Sequence, residues 1–132
     1  MMRLLCLSVL LLALSCSKDG PTPDVLLGSW ELREVYVDPG NGSGTFRPTD
    51  RHRRITFVDD STYVTDVGIC TFGSQDSWPG GTGMYSASEQ EIYPTTCRIN
   101  ARYPYTVDGL ELTISYFCFE GCAERYRKVA DE

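Results

Sequence analysis

The sequence predicts an all-β fold, and three observations carry that prediction. From Leu26 onward the apolar residues come in short alternating runs separated by Gly, Pro, Asp and Ser, the period-two pattern of half-buried strands. No stretch of the same region sustains a 3.6-residue period. Finally, Asp108-Gly109 lies between two alternating runs, the strongest short-range signal for a β-hairpin.

A length of 132 residues allows one domain, and the first segment stands outside it. Arg3 supplies a short positive region and Leu4 to Leu14 an apolar run, too short to span a bilayer as a helix and suited to a cleaved secretory signal over residues 1–15. Leu12-Ala13-Leu14-Ser15-Cys16 resembles a lipobox, in which the Cys thiol is acylated and becomes the mature N-terminus. An ordinary signal peptide is the competing reading. Ser17-Lys18-Asp19-Gly20 resembles the sorting signal that sends some Gram-negative lipoproteins to the outer face of the outer membrane. Residues 16–25, with Pro21 and Pro23, then read as a lipidated Cys and a short tether.

The domain itself is expected over 26–132. Its first strand runs from Leu26 to Val37, with Trp30 and Leu32 on one face and Val35 and Val37 on the other. That change of face predicts a bulge near Arg33-Glu34. Asp38 to Gly44 reads as a flexible rim loop, because it lacks the acidic spacing and closing Glu of a calcium loop. Arg51 to Val58 is the second strand, and Asp59-Asp60-Ser61 turns the chain into a third that carries Tyr63, Thr65 and Val67. Cys70 to Gly83 is a loop by composition, in which Trp78 either tucks against the barrel or serves as a lid. Gly83 to Ser86 and Glu91 to Tyr93 are short strands. Pro94 and Pro104 each remove a backbone donor, so pairing around them must be an edge or a gap.

Tyr105 to Ile114 is the clearest hairpin, with a type I′ turn at Asp108-Gly109 and Leu110, Leu112, Ile114 and Tyr116 pointing inward. Ala123 to Val129 closes the chain, for a total of about eight strands.

Cysteine usage fits export. Cys70, Cys97, Cys118 and Cys122 form an even set behind a secretory signal, which favours disulfides. Four cysteines allow three pairings. Cys118 with Cys122 is preferred, because Phe119-Glu120-Gly121 reads as a three-residue hairpin loop with Gly121 left-handed; Cys70 with Cys97 is then the long-range staple. Zinc is the competing use, against which a single His and an oxidising compartment weigh.

Several of these segments resemble one family. Gly28-Ser29-Trp30 opening the first strand, the Thr56-Phe57-Val58-Asp59-Asp60-Ser61-Thr62 hairpin, Gly83-Met84-Tyr85, and the closing strand with Tyr126-Arg127-Lys128 are similar to the lipocalin-like domain family, the small bacterial lipocalin-like lipoproteins. The resemblance covers nearly the whole domain. It implies an eight-stranded antiparallel up-and-down barrel of the calycin type, with Gly28 and Trp30 at its floor. It further implies a basic side chain over the Trp30 ring, with Arg127 preferred and Arg125 the other candidate.

Little points to catalysis. His52, the only histidine, lies in Arg51-His52-Arg53-Arg54 without an apolar setting to tune it. The cysteines are expected to be bonded, and no Gly-rich loop follows a strand and opens a helix. A non-enzyme is therefore expected, with no metal or other cofactor. A net charge of −6 argues against nucleic acid as a partner, so the acyl chains on Cys16 would supply the membrane contact. The expected function is binding of a small apolar ligand, lined by some of Tyr63, Tyr85, Tyr105 and Tyr116, in a monomeric envelope lipoprotein. The alternative is a protein-binding module that acts through its rim loops, and a side-chain-filled barrel would favour it.

Overall fold

The structure, a computed structural model, describes residues 22–73 and 78–131. The expected signal and lipidated Cys16 lie outside these residues. One helical turn, α1 (Pro23–Leu26), precedes β1 (Gly28–Val37). The turn forms where the tether was expected to run into the first strand. Pro23 suits the first helical position, and Leu26 is buried beneath Trp30, whose indole N–H donates to the Leu26 carbonyl at 2.8 Å. Gly28 then takes φ +105°, a conformation open to glycine, and starts the strand.

The remaining strands are β2 (Thr45–Pro48), β3 (Arg54–Phe57), β4 (Thr62–Val67), β5 (Pro79–Ser86), β6 (Glu91–Tyr93), β7 (Tyr103–Asp108), β8 (Glu111–Ser115) and β9 (Cys122–Val129). Eight of them, β1 and β3 to β9, close into an antiparallel barrel through the β1–β9 pairing. The ninth, β2, is the extra strand. It was not expected, since Thr45-Phe46-Arg47-Pro48 has one apolar side chain and no alternation. It pairs with the upper half of β1, Glu34 to Val37, while β3 takes the lower half, Gly28 to Glu31, on the same edge. The expected bulge is present, as the β1–β9 register shifts between Leu32 and Glu34. That shift lets Val35 pack on the core, whereas Val37 ends exposed at the rim.

Alternation along the strands builds the core. Ile55 and Phe57, Tyr63 and Thr65, Tyr103 and Tyr105, and Leu112 and Ile114 point inward from successive strands. Two details differ in the β7–β8 hairpin. Asp108 pairs with Glu111, so the central turn residues are Gly109 and Leu110. With φ +57° at the first of them, the turn is of the II′ class and not I′. Leu110 therefore sits exposed in the turn instead of facing the core.

Both preferred disulfides are present. Cys70–Cys97 has its Cα atoms 5.3 Å apart and Cys118–Cys122 has its 6.0 Å apart. Gly121, however, has no left-handed φ. Pro94 ends β6 after three residues. Beyond it the 94–102 segment lies against β5, where the Thr95 hydroxyl donates to the Thr82 carbonyl. This is the irregular pairing that the two prolines predicted. The β5 strand also starts earlier than expected, at Pro79, within a stretch that reads as loop by composition.

Candidate functional site

The two ends of the barrel differ. At one end the turns are short: 58–61 joins β3 to β4, 87–90 joins β5 to β6, and 109–110 joins β7 to β8. Trp30, with no exposed surface, lies in this closed end beside α1. The cation over its ring is Lys128, with Nζ 5.3 Å from the centroid. The Lys128 ammonium also donates to the Val25 carbonyl. Arg127, the residue preferred for that place, is exposed and pairs across the strands with Glu31 and Glu111. Arg125, the other candidate, stacks 3.5 Å from the Phe46 centroid and meets Glu34 at 2.8 Å. The physical reason is parity. Arg125 and Arg127 lie on the outward face of β9, whose inward face carries Glu124 and Tyr126.

The long connections gather at the other end: 38–44, 49–53, the described residues 68–73 and 78 between β4 and β5, 94–102 and 116–121. The Cys70–Cys97 bond ties the third of these to the fourth, and Tyr103 Oη donates to the Cys70 carbonyl beneath it. The Asp38 carboxylate organises the first loop by accepting the N–H groups of Gly40, Asn41, Gly42 and Gly44 at 2.8 to 3.4 Å. The Gly40 N–H leads in holding this carboxyl below the usual Asp range. The backbone N–H of Asp38 donates to the Gly121 carbonyl at 2.8 Å and so joins the first loop to the last.

That last loop carries the exposed apolar surface. Phe117 is 76% exposed and Phe119 wholly so, on either side of the disulfide-bonded Cys118. The Phe117 ring rests 5.8 Å from Tyr103, which lies 4.7 Å from Tyr116. Ile99 and Val37 are also exposed at this end.

Below the loops the barrel holds a buried charge. Glu124 Oε2 accepts from Arg53 at 2.6 Å and from the hydroxyls of Tyr116 and Tyr126 at 2.7 Å each. Glu124 Oε1 has Arg51 Nη1 3.7 Å away, and the Arg51 guanidinium in turn lies over Phe72. Burial pushes the Tyr116 and Tyr126 phenols well up from their usual value, and the adjacent carboxylate adds to this. All the named donors converge on one oxygen, which suits a structural clasp. His52 is exposed instead, on the wall of an open cleft of about 630 Å³ shared with Thr49, Asp50, Arg51, Asp66 and Val67.

The four tyrosines named as candidate lining are buried. Tyr85 donates to the Asp59 carbonyl at 2.6 Å, Tyr105 to the Ser86 carbonyl at 3.3 Å and Tyr116 to Glu124. Tyr63 packs where a side chain at Gly83 would otherwise stand. These rings pack with Trp30, Phe57 and Tyr126 as one core, so a lipophile in the barrel would have to displace them. Trp78 is half-buried beside Gly68, whose N–H donates to the Trp78 carbonyl. Among the described residues no cluster of His, Cys, Asp and Glu could hold a metal ion.

Sequence reasoning read Arg53 with Arg51 and Arg54 as a basic cluster that steers an acidic ligand or balances an acidic barrel, and it missed the burial of Arg53 against Glu124 and the exposed Phe pair. Glu124 could have been found from parity with Tyr126, since residues two apart on a strand share a face. Phe119 was legible only as part of a hairpin loop, and Phe117 lies just before it. The fold and the loop-bearing end define a closed antiparallel barrel with a packed core. No protein-family model, curated protein or solved structure matches the chain.

Proposed function

We propose that this chain is a lipocalin-like envelope lipoprotein, anchored through Cys16 to the outer membrane of a Gram-negative cell, and that it acts as a non-catalytic protein-binding module through the loop-bearing end. The observation that carries this reading is the division between interior and rim. The interior is filled by tyrosine, tryptophan and aliphatic side chains, and the Tyr85, Tyr105 and Tyr116 hydroxyls donate to protein acceptors. The rim is braced by two disulfides and presents exposed aromatic rings. An eight-stranded barrel is wide enough either to be filled by its own side chains or to hold one small ligand, and the packed tyrosines favour the first. The non-catalytic part rests on bonded cysteines and a solvent-facing His52. The anchor rests on the lipobox resemblance around Cys16.

Native mass spectrometry of the full-length protein, released gently from its own envelope, tests the reading. The expected result is the mass of the acylated chain alone, with Cys16→Ser losing both the acyl mass and membrane association. An added mass that organic extraction removes would instead establish a carried small molecule and overturn the protein-binding reading.

A further inference from the structure

We propose that the Cys118–Cys122 bond is a thiol-exchange site. A low-molecular-weight thiol attacks Cys118 Sγ and stays there as a mixed disulfide, Cys122 is released as a thiol in the barrel wall, and Cys70–Cys97 remains closed. This chemistry does not depend on what the loop end binds.

Access selects the sulfur. Thiol–disulfide exchange is the attack of a thiolate on one sulfur of the bond, and its rate depends on which sulfur can be reached. Among the described cysteines Cys118 alone is exposed. Its partner Cys122 is 6% exposed, Cys70 is 3% exposed and Cys97 is half-buried. Cys70 follows the buried Ile69 beneath the loops, and its carbonyl is held by the Tyr103 hydroxyl. The attack that the fold leaves open is therefore on Cys118, with Cys122 as the leaving sulfur. Cys122 Sγ lies 3.7 Å from the Tyr116 carbonyl oxygen, so the released thiol has an acceptor already in place.

The strands fix which half moves. Cys122 opens β9, where it pairs with Val37 of β1, and its carbonyl accepts from the Tyr116 N–H at 3.1 Å. The neighbouring Gly121 carbonyl accepts from the Asp38 N–H. Cys118 instead belongs to the connection between β8 and β9. The bond closes a sequence separation of only 4, so breaking it leaves Cys122 seated in the sheet. Residues 117–120, which carry the exposed Phe117 and Phe119, lose their covalent closure.

The step balances without an oxidant. The incoming thiol gives its proton to solvent, and its sulfur bonds to Cys118 Sγ. The Cys118–Cys122 bond breaks with its electron pair on Cys122 Sγ, which then takes a proton back. One thiol and one disulfide enter, and one mixed disulfide and one thiol leave.

The test treats the purified full-length protein, both bonds closed, with rising concentrations of reduced glutathione at mildly alkaline pH. Samples are quenched in acid, unfolded and alkylated, and peptide mapping by mass spectrometry locates the glutathionyl and alkyl groups. The expected first product carries glutathione on Cys118 and the alkyl group on Cys122. It should form at least about tenfold faster than Cys70–Cys97 opens, since access governs the rate, and the folded circular dichroism should be unchanged. The preference should shrink when the protein is unfolded in urea. Glutathione found first on Cys122, Cys70–Cys97 opening first or equally fast, or loss of the folded signal with the first adduct would each overturn the site. So would a Cys118–Cys122 bond that opens only on unfolding, or a preference that urea leaves undiminished.

Discussion

Arg53 and Glu124, separated by 71 residues, meet inside the barrel with Nη1 and Oε2 2.6 Å apart. Their side chains are 3% and 0% exposed, so neither charge is shared with solvent to any extent. The pair joins the strand-entry segment before β3 to the closing strand β9, and two tyrosine hydroxyls complete the shell on the same oxygen.

Breaking this pair leaves the other charge buried and alone. Glu124→Gln is expected to destabilise the domain by about 3–5 kcal/mol, the range for removing one partner of a buried ion pair. The double replacement Arg53→Met/Glu124→Leu should recover most of that loss. Arg51→Gln, at a side chain one-third exposed and 3.7 Å from the carboxylate, should cost less than about 1 kcal/mol. Urea denaturation of the three variants separates these cases, and equal losses for Arg51→Gln and Glu124→Gln would refute the assignment.

Trp30 has no exposed surface and its indole N–H is bonded to Leu26. Trp30→Ala is expected to cost about 3–5 kcal/mol, as large aromatic truncations in cores do. Lys128→Met should cost no more than about 1 kcal/mol, the worth of an exposed cation–π contact. Overlapping denaturation curves for Trp30→Ala and wild type would remove Trp30 from the barrel floor.

Gly83 faces the Tyr63 ring, and a Cβ there would collide with the phenol. Tyr63 is buried and cannot swing out cheaply. Gly83→Ala is therefore expected to destabilise by about 1–3 kcal/mol, the usual cost of overpacking. The paired change Gly83→Ala/Tyr63→Phe, read by thermal unfolding, should restore part of the loss because the hydroxyl is among the colliding atoms.

Burial holds the Tyr63, Tyr116 and Tyr126 phenols above their usual value of 10.0. A raised value in the folded state means that ionisation favours unfolding. The stability these groups contribute is thus fully present below pH 10 and is lost as pH rises above it. Tyr93, held up to about 12 by its hydrogen bonds to Glu89 and Glu91, lies on the surface side of the same trend. In a spectrophotometric titration, the last tyrosinate absorbance should appear together with loss of the folded circular dichroism. Ionisation of all eight tyrosines with the fold intact would contradict this.

The two disulfides should differ in worth. Cys70–Cys97 closes a separation of 27 residues and Cys118–Cys122 one of 4. The chain-entropy relation then gives about 3–4 kcal/mol for the first and about 2 kcal/mol for the second. Denaturant midpoints of the Cys70→Ser/Cys97→Ser and Cys118→Ser/Cys122→Ser variants should fall in that order.

By itself the sequence determined what depends on near neighbours. Period-two alternation marked Leu112, Ile114 and Tyr116 as inward, because side chains on a strand alternate by geometry alone. The change of face after Leu32 exposed the β1 bulge, and the prolines at 94 and 104 marked the irregular β6–β7 pairing. The disulfide pairing followed from one short loop and elimination.

Tertiary structure decided what depends on registry between distant strands. Strand β2 has no pattern of its own and exists because the upper edge of β1 is left open by a short β3. The choice of Lys128 over Arg127 above Trp30 was set by which face of β9 turns inward, fixed by its pairing with β1 and β8. The Arg53–Glu124 clasp and the gathering of both disulfides and the Phe tip at one end likewise arise only when the barrel closes. A linear pattern states which face a residue takes, but closure of the sheet decides which faces meet.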